Sequence, residues 1–395
     1  MIIFGKPFIR REGEYSFLVN SINIDGNKDE IWFKVRNKFE PYLCFERDDT
    51  YLIAVLNYAM LYGHDMEFEA PITEELLFNI NTYLIPALIE NNPGFYSPVI
   101  KAEIATSKLP NAGAVGTGIS CGVDSLHAVA AKANMIYKNL NITHLTFNNV
   151  GSHGEGIEAQ KLYQSRLEKP RRFSLENGFK FVESNSNLMD IIKQDHFSTH
   201  TYSSMFPIFC LQKLYKVYYY ASGGYKFNEF KLKSTLHSSC GAYELLSLPV
   251  FSTSNLRIYS EGMGLTRLNK LKAIINYRPS YKYLNVCLKE EGNCNKCEKC
   301  IRTLLGLDAL GALDNYSEVF DIEFYRTNKK WYLQQMLYQI AQDKHDYFEM
   351  YPYFKTQITF LMRLKVLPIR VKEICKKRLY RYPNLYRKVK NLVSD

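Results

Sequence analysis

The chain is 395 residues long, 46% hydrophobic and 23% charged, with nine cysteines and a formal net charge of +10. That composition is globular and the length suits two or three domains, which excludes collagen-like, disulfide-stapled and wholly disordered architectures. The charge is unevenly placed: residues 363–395 hold eleven Lys/Arg against two Asp/Glu, a net of +9, while the other 362 residues carry 39 basic and 38 acidic side chains. Any argument from charge to nucleic acid or membrane partners therefore belongs to that tail.

No apolar run reaches the roughly 18 residues that a spanning helix needs. The first residues, Met1-Ile2-Ile3-Phe4-Gly5-Lys6, lack the layout of a signal peptide, so a cytoplasmic location is the expectation. The cysteines agree with it. Cys287, Cys294, Cys297 and Cys300 crowd into fourteen residues and the other five stand singly, a pattern of metal ligation rather than disulfide pairing.

In chain order, residues 1–110 read as an α+β domain without recognisable chemistry. Apolar and β-branched runs at 14–24 and 30–36, separated by Asp25-Gly26-Asn27, predict a hairpin. Helices are predicted over 50–62 and 74–90, the second opened by Thr73 with Glu74 and Glu75 in its first turn. His64, alone among apolar neighbours, reads as structural. From about residue 114 the rhythm becomes strand, loop, helix, with strands predicted at 114–119, 143–149, 179–184, 215–221 and 255–259. Such alternation predicts an α/β fold, a parallel sheet with helices on both faces, whose ligands bind at the carboxyl ends of the strands. Helices are predicted at 301–312 and 330–343. Over 361–392, Pro368 and Pro383 are expected to interrupt any continuous helix. The domain reading is 1–110, an α/β domain over 111–305 that ends in the clustered cysteines, a helical extension over 306–362 and the basic tail over 363–395.

The first strand of the α/β part runs into Gly118-Ile119-Ser120-Cys121-Gly122-Val123-Asp124-Ser125, followed by an apolar-periodic helix from Leu126. A turn of small residues between strand and helix lets backbone N–H groups converge on an anion, and the helix dipole favours negative charge there. Ser120 and Ser125 can add hydroxyl donors to phosphate oxygens. Asp124 can cap the helix or help to hold Mg²⁺. The plainer alternative is a well-capped turn.

The four clustered cysteines supply thiolates suited to one closed tetrahedral Zn²⁺ site of structural type. An iron–sulfur cluster uses the same ligands and is the alternative. A four-thiolate zinc site carries net charge −2, which Lys289, Lys296, Lys299 and Arg302 are close enough in sequence to offset.

The string from Ser120 to Ser125 resembles the Ser-Gly-Gly-x-Asp-Ser pyrophosphate loop of the PP-loop ATP pyrophosphatases, with Cys121 in place of the first glycine. The resemblance implies an adenine nucleotide alpha hydrolase-like (HUP-type) fold. It also implies cleavage of ATP between its α and β phosphates, adenylation of a carbonyl oxygen, and displacement of AMP by a nitrogen or sulfur nucleophile. Its pyrophosphate would be held by Ser120, Cys121, Gly122, Val123, Asp124 and Ser125, with Asn148 and Asn149 at the nucleotide. Within that superfamily the chain is similar to the 7-cyano-7-deazaguanine synthases. They join such a loop to a zinc site of Cys-x2-Cys-x2-Cys plus an upstream Cys, followed two residues later by an Arg, here Arg302. Gly264-Leu265-Thr266-Arg267 resembles the short segment before that family's last strand. The likeness spans about residues 114–305.

Where that family carries an Asp-Tyr-Gly-Gln-like turn, this chain has Asn148-Asn149-Val150-Gly151, and its Gly-Arg-Asn segment corresponds loosely to Tyr202-Ser203-Ser204. A related fold with a different substrate is therefore expected. His153, Glu155, His196 and His200 are candidates for the altered pocket, each with the alternative of a solvated loop position. The expected function is an ATP-dependent, AMP-forming ligase or amidotransferase acting on an acid-bearing small molecule, sugar or peptide. Ammonia or an amine would come from solution or a partner protein, since no cysteine nucleophile follows Met1, and a homo-oligomer is compatible with it. Two alternatives are an RNA-modifying PP-loop enzyme, whose tail would track phosphates, and an inactive nucleotide-binding assembly protein, whose loop would be marked by Cys121. The tail could also rest on an anionic membrane surface, making the enzyme peripheral to its inner face.

Overall fold

The computed structural model describes residues 1–223, 227–233, 239–287 and 292–380. The chain divides into two compact units, Met1–Leu265 and Thr266–Asp395. In the first, β1 (Ile2–Phe4) and β2 (Phe8–Glu12) lead into a long hairpin of β3 (Tyr15–Ile24) and β4 (Asn27–Arg36). Ile24 pairs with Asn27, and the two loop residues Asp25 and Gly26 have φ of 52° and 94°. That is the primed two-residue turn whose twist matches the strands. The predicted hairpin is thus present with its turn where the sequence puts it.

The strands continue as β5 (Met66–Phe68), β6 (Ile72–Thr73), β7 (Ile100–Lys101), β8 (Ile104–Ala105), β9 (Ala114–Gly118), β10 (His144–Asn149), β11 (Lys180–Ser186), β12 (Tyr215–Ala221) and β13 (Arg257–Glu261). β6 and β8 form a small ladder of their own, and the rest form one sheet in the order β13-β12-β9-β10-β11-β4-β3-β1-β5-β7 with β2 against β3. From β13 to β11 every pairing is parallel. Numbered along the chain, those five strands lie in the order 3-2-1-4-5, a doubly wound arrangement compatible with a Rossmann-like fold. β11 pairs antiparallel with β4, so residues 1–110, read from sequence as a separate domain, extend the parallel sheet of β9 to β13. Edge pairing across positions so distant leaves no mark in local pattern.

Helices flank this sheet. Val123–Lys132 packs on β9 and β12, Gly156–Glu176 on β10 and β11, and Asp49–Tyr62 on His196–Cys210. The last pair buries Leu52, Leu56, Phe206 and Phe209 completely, and truncating a leucine so placed costs ~2–5 kcal/mol. The helix expected over 74–90 is present as Glu74–Asn79, a π-turn at Ile80–Leu84 and Ile85–Asn91. Pro86, which has no N–H to give to Thr82, follows that π-turn. The Thr73 hydroxyl does not cap this helix; it donates to Asp49 Oδ2 at 2.5 Å. His64 stacks on Tyr58 with ring centroids 5.6 Å apart and lies 3.6 Å from Asp25, a structural setting.

The described part of the second unit is helical, with Glu298–Ala309 and Lys329–Ala341 at the two predicted places. Gly264-Leu265-Thr266-Arg267 precedes no strand among the described residues. Thr266 instead caps the helix Arg267–Ile274, its Oγ1 accepting from Asn269 N–H at 3.2 Å. A further helix, Phe360–Tyr380, runs through Pro368 without ending, against expectation. Pro368 faces solvent, so water can satisfy the Leu364 carbonyl that loses its partner. Pro383 and the tail beyond residue 380 lie outside the described residues.

Candidate functional site

β9 ends at Gly118, and the turn that follows is tied to its neighbour by Ile119 N–H donating to Thr146 O at 2.8 Å. Gly122 is the N-cap of the helix Val123–Lys132. Gly122 N–H donates to Ser120 Oγ at 3.3 Å, and Ser125 Oγ lies 3.3 Å from Ser120 Oγ and 3.1 Å from Gly122 O. The two serines thus stand together at a helix N-terminus, where the first amides have no partner within the helix.

Cys121 is fully buried with φ of 60°. The position therefore has the left-handed conformation that favours glycine, and cysteine occupies it with its thiol packed inward. Burial pushes that thiol up to about 12, which makes it inert rather than nucleophilic.

A cavity of ≈ 320 Å³ opens beside the turn, lined among others by Ser120, Asp124, Ser125, Asn148, His196 and Tyr218. It lies at the carboxyl ends of β9, β10 and β12. The chain order of the sheet reverses between β9 and β12, and ligands of doubly wound sheets bind at such a point. Of the residues expected at phosphate and nucleotide, Ser120, Asp124, Ser125 and Asn148 reach the cavity. The side chains of Cys121 and Val123 are buried away from it and Gly122 has none, which leaves these three only their backbone to offer.

Asn148 and Asn149 separate because neighbouring strand residues face opposite sides. Asn148 Nδ2 donates to Thr146 Oγ1 at 3.3 Å, and its Oδ1 accepts from Ser184 Oγ at 2.7 Å. Asn149 is 4% exposed and donates to Asn185 Oδ1 at 2.9 Å, outside the cavity. Tyr218 and Tyr220, two apart on β12, also line the cavity, with Tyr218 Oη 2.9 Å from Thr146 Oγ1. Sequence reasoning missed both tyrosines. Their spacing at the carboxyl end of a predicted parallel strand was the available signal. Ser204, from the segment matched loosely to Gly-Arg-Asn, also reaches the cavity.

The four further candidates part company. His196 lines the cavity; its Nδ1 is buried without a hydrogen-bond partner, and burial lowers its pKa. Gly151, at φ 113°, makes room for it: a Cβ there would approach His196 Nδ1 to 2.7 Å. His200 stands one helical turn on, its Nδ1 2.6 Å from Tyr220 Oη and its Nε2 2.8 Å from Ser239 Oγ. Burial, and then His196, lower it to about 4, so it joins two hydroxyls as a neutral ring. His153 packs edge-on to Phe147 and Tyr163, with centroids 5.5 and 5.6 Å away, and burial lowers it to about 4. Glu155 is exposed at the start of the helix Gly156–Glu176, whose first amide donates to Asp190 Oδ1 at 2.6 Å. Neither His153 nor Glu155 lines the cavity.

In the second unit, one sulfur from each of Cys287, Cys294, Cys297 and Cys300 lies within 4.8 Å of the others. Cys294 Sγ is 4.0 Å from Cys300 Sγ, and Cys297 Sγ is 3.9 Å from Cys287 Sγ. Sulfurs roughly 2.3 Å from one tetrahedral ion stand about 3.8 Å apart, so the group could hold a single metal ion. Cys297 stands at the N-cap position of the helix Glu298–Ala309, and its N–H donates to Cys294 Sγ at 3.3 Å. Tyr332 Oη donates to Asn295 O at 2.5 Å, fixing the turn between the ligands, where Asn295 has φ of 59°. Of the cations expected to offset thiolate charge, Arg302 is paired with Asp346 and Lys296 lies 5.2 Å from the Phe324 ring. Lys289 lies outside the described residues.

These features define an α/β protein with a mostly parallel central sheet, a polar cavity at its switch point and a four-cysteine group in its second unit. No helix among the described residues is long and apolar enough to cross a membrane. No protein-family model, no curated protein and no solved structure matches the chain.

Proposed function

We propose that the protein is an ATP-dependent, AMP-forming ligase of PP-loop type with a HUP-like nucleotide domain, which activates an acid for attack by ammonia or an amine. The observation that carries this reading is the pairing of Ser120 and Ser125 at a helix N-terminus that opens into the switch-point cavity. Backbone amides of the turn and the two hydroxyls hold the pyrophosphate, and the adenosine side of the nucleotide extends past Asn148. Asp124, in the first turn of the helix and on the cavity wall, is placed to hold Mg²⁺ brought with the nucleotide. That ion supplies neutralisation of phosphate charge.

The substrate's carboxylate oxygen attacks the α phosphorus, the bond from that phosphorus to the bridging oxygen breaks, and pyrophosphate leaves. The amine nitrogen then attacks the acyl carbon, the carbon–oxygen bond to AMP breaks, and the amine gives up a proton. His196 lines the cavity with its Nδ1 buried and unpartnered, which makes that nitrogen the candidate to accept the proton, although burial, which lowers its pKa, makes it a weaker base than a free imidazole. Positioning and electrostatic stabilisation would supply most of the acceleration.

The four-cysteine group is read as a structural Zn²⁺ site, since four thiolates leave no open position for chemistry. The test is product analysis with candidate acids and ammonia. AMP and pyrophosphate are expected; ADP and phosphate would sink the reading. The same assay with RNA as acceptor decides the RNA-modifying alternative, and ATP binding without turnover would favour the inactive one.

A further inference from the structure

The helix Phe360–Tyr380 packs on Lys329–Ala341 through Val366, which is 8% exposed, and Gln334 Nε2 donates to Met362 O at 3.3 Å. A second side of the same helix, about 120° round from Val366, is also apolar. Phe360, Leu364, Leu367, Val371 and Ile374 alternate in steps of four and three residues, which aligns them as one stripe along an α-helix. They, with the neighbouring Leu361, are between 44% and 74% exposed. So long an unpartnered stripe is unusual on a protein surface.

The charges are placed with equal regularity. At 100° per residue, Arg363 and Arg370 border one side of the stripe, while Lys365 and Lys372 stand farther round the helix, beyond Pro368 and Leu361; all four are exposed. The only acidic residue in the sequence of this helix is Glu373, beyond the flanking cations. Two copies joined stripe to stripe would bring in the bordering arginines with no acidic partner beside the stripe, so the pair would lack the complementary e and g charges that stabilise a helix dimer. A phosphate backbone would satisfy the cations but leave the apolar stripe in water. An anionic bilayer answers both, since the apolar residues enter the acyl region while long Lys and Arg side chains reach outward to lipid phosphates.

We infer that this helix lies in the plane of an anionic membrane surface and anchors the protein there peripherally. Of the stripe, Leu364, Leu367 and Ile374 border a groove of ≈ 730 Å³ that Leu337, Ile340, Asp343, Arg363 and Arg370 also line.

The experiment is co-sedimentation of the full chain with phosphatidylcholine vesicles, with and without phosphatidylserine, beside light scattering of the free protein. Expected are a monomer whose stripe is uncovered and binding to phosphatidylserine vesicles at least tenfold tighter than to phosphatidylcholine alone. That binding should weaken with salt, by roughly fivefold for each flanking cation neutralised. Leu367→Glu with Val371→Glu should lower it at least tenfold. Both positions are solvent-facing, and the wild-type lipid and salt dependence tests the inference whatever becomes of that variant. Absence of binding, equal binding to both vesicle types, or a dimer that the two substitutions dissociate would overturn it. None of these outcomes bears on the proposed ligase chemistry.

Discussion

Ser120 Oγ and Ser125 Oγ lie 3.3 Å apart at the turn between β9 and the helix Val123–Lys132. Hydroxyls that donate to a charged phosphate contribute more than they do to one another, about 1.5–3 kcal/mol each. Ser120→Ala and Ser125→Ala should therefore each weaken ATP binding roughly ten- to a hundredfold by calorimetry. Ser125→Ala should also lower stability by about 1 kcal/mol through its lost bond to Gly122 O, whereas Ser120, which is exposed, should leave stability unchanged. Unaltered ATP affinity in both variants would remove the turn from nucleotide binding.

Cys121 is the residue where this turn departs from glycine, and its φ of 60° defines what a replacement does. A side chain in that conformation costs ~1–2 kcal/mol. Glycine relieves the strain but adds unfolded-chain entropy of ~0.5–1 kcal/mol and loses the packing of a fully buried sulfur. Cys121→Gly should thus change stability by no more than about 1 kcal/mol in urea unfolding. Cys121→Val, β-branched where φ is positive, should destabilise by about 2 kcal/mol or more. A thiol reagent should leave Cys121 unlabelled in the native protein.

His200 is lowered from 6.5 to about 4, and the sign of its effect on stability follows. Above pH 6.5 the ring is neutral folded or unfolded and contributes nothing. Between 6.5 and about 4 the unfolded chain binds the proton and the folded chain does not, so stability falls with pH; below about 4 both bind it and the loss is complete. Relative to His200→Gln, which cannot titrate, wild type should lose stability across that window with a limiting slope of about 1.4 kcal/mol per pH unit. A difference between the two that is flat from pH 7 to 4 would show that the ring titrates in the fold as it does in the unfolded chain.

The cysteine group makes a separate prediction. Sulfurs 3.9 and 4.0 Å apart should bind one metal ion per chain, measured by elemental analysis, and Cys294→Ser or Cys297→Ser should abolish it. Removing the ion with a chelator should destabilise the second unit by several kcal/mol, because its binding energy is folding energy. Arg302→Ala breaks only the pair with Asp346 and should retain the ion.

Much of this was legible in the chain because its causes are local. The Asp25-Gly26 turn, the five parallel strands and the loop from Ser120 to Ser125 are each set by residues within a few positions of one another. The partnership of β4 with β11 depends on segments about 150 positions apart, and no local pattern encodes it. The same limit explains the site. Ser120, Asp124 and Ser125 share one turn and read as a motif, whereas Tyr218, Tyr220 and His196 reach the cavity only through the packing of β12 and the helix His196–Cys210. His153 and Glu155 looked equal to His196 in sequence; Phe147 and Tyr163 enclose the first and solvent surrounds the second.

The most direct measurement of the central claim is to incubate the full chain with ATP, Mg²⁺, ammonia and a panel of carboxylic acids, and to separate the nucleotide products by chromatography. The account predicts AMP and pyrophosphate in equal amounts, dependent on one class of acid and abolished by the Ser120→Ala/Ser125→Ala variant. ADP and phosphate as products, or AMP formation that survives the double substitution, would contradict it.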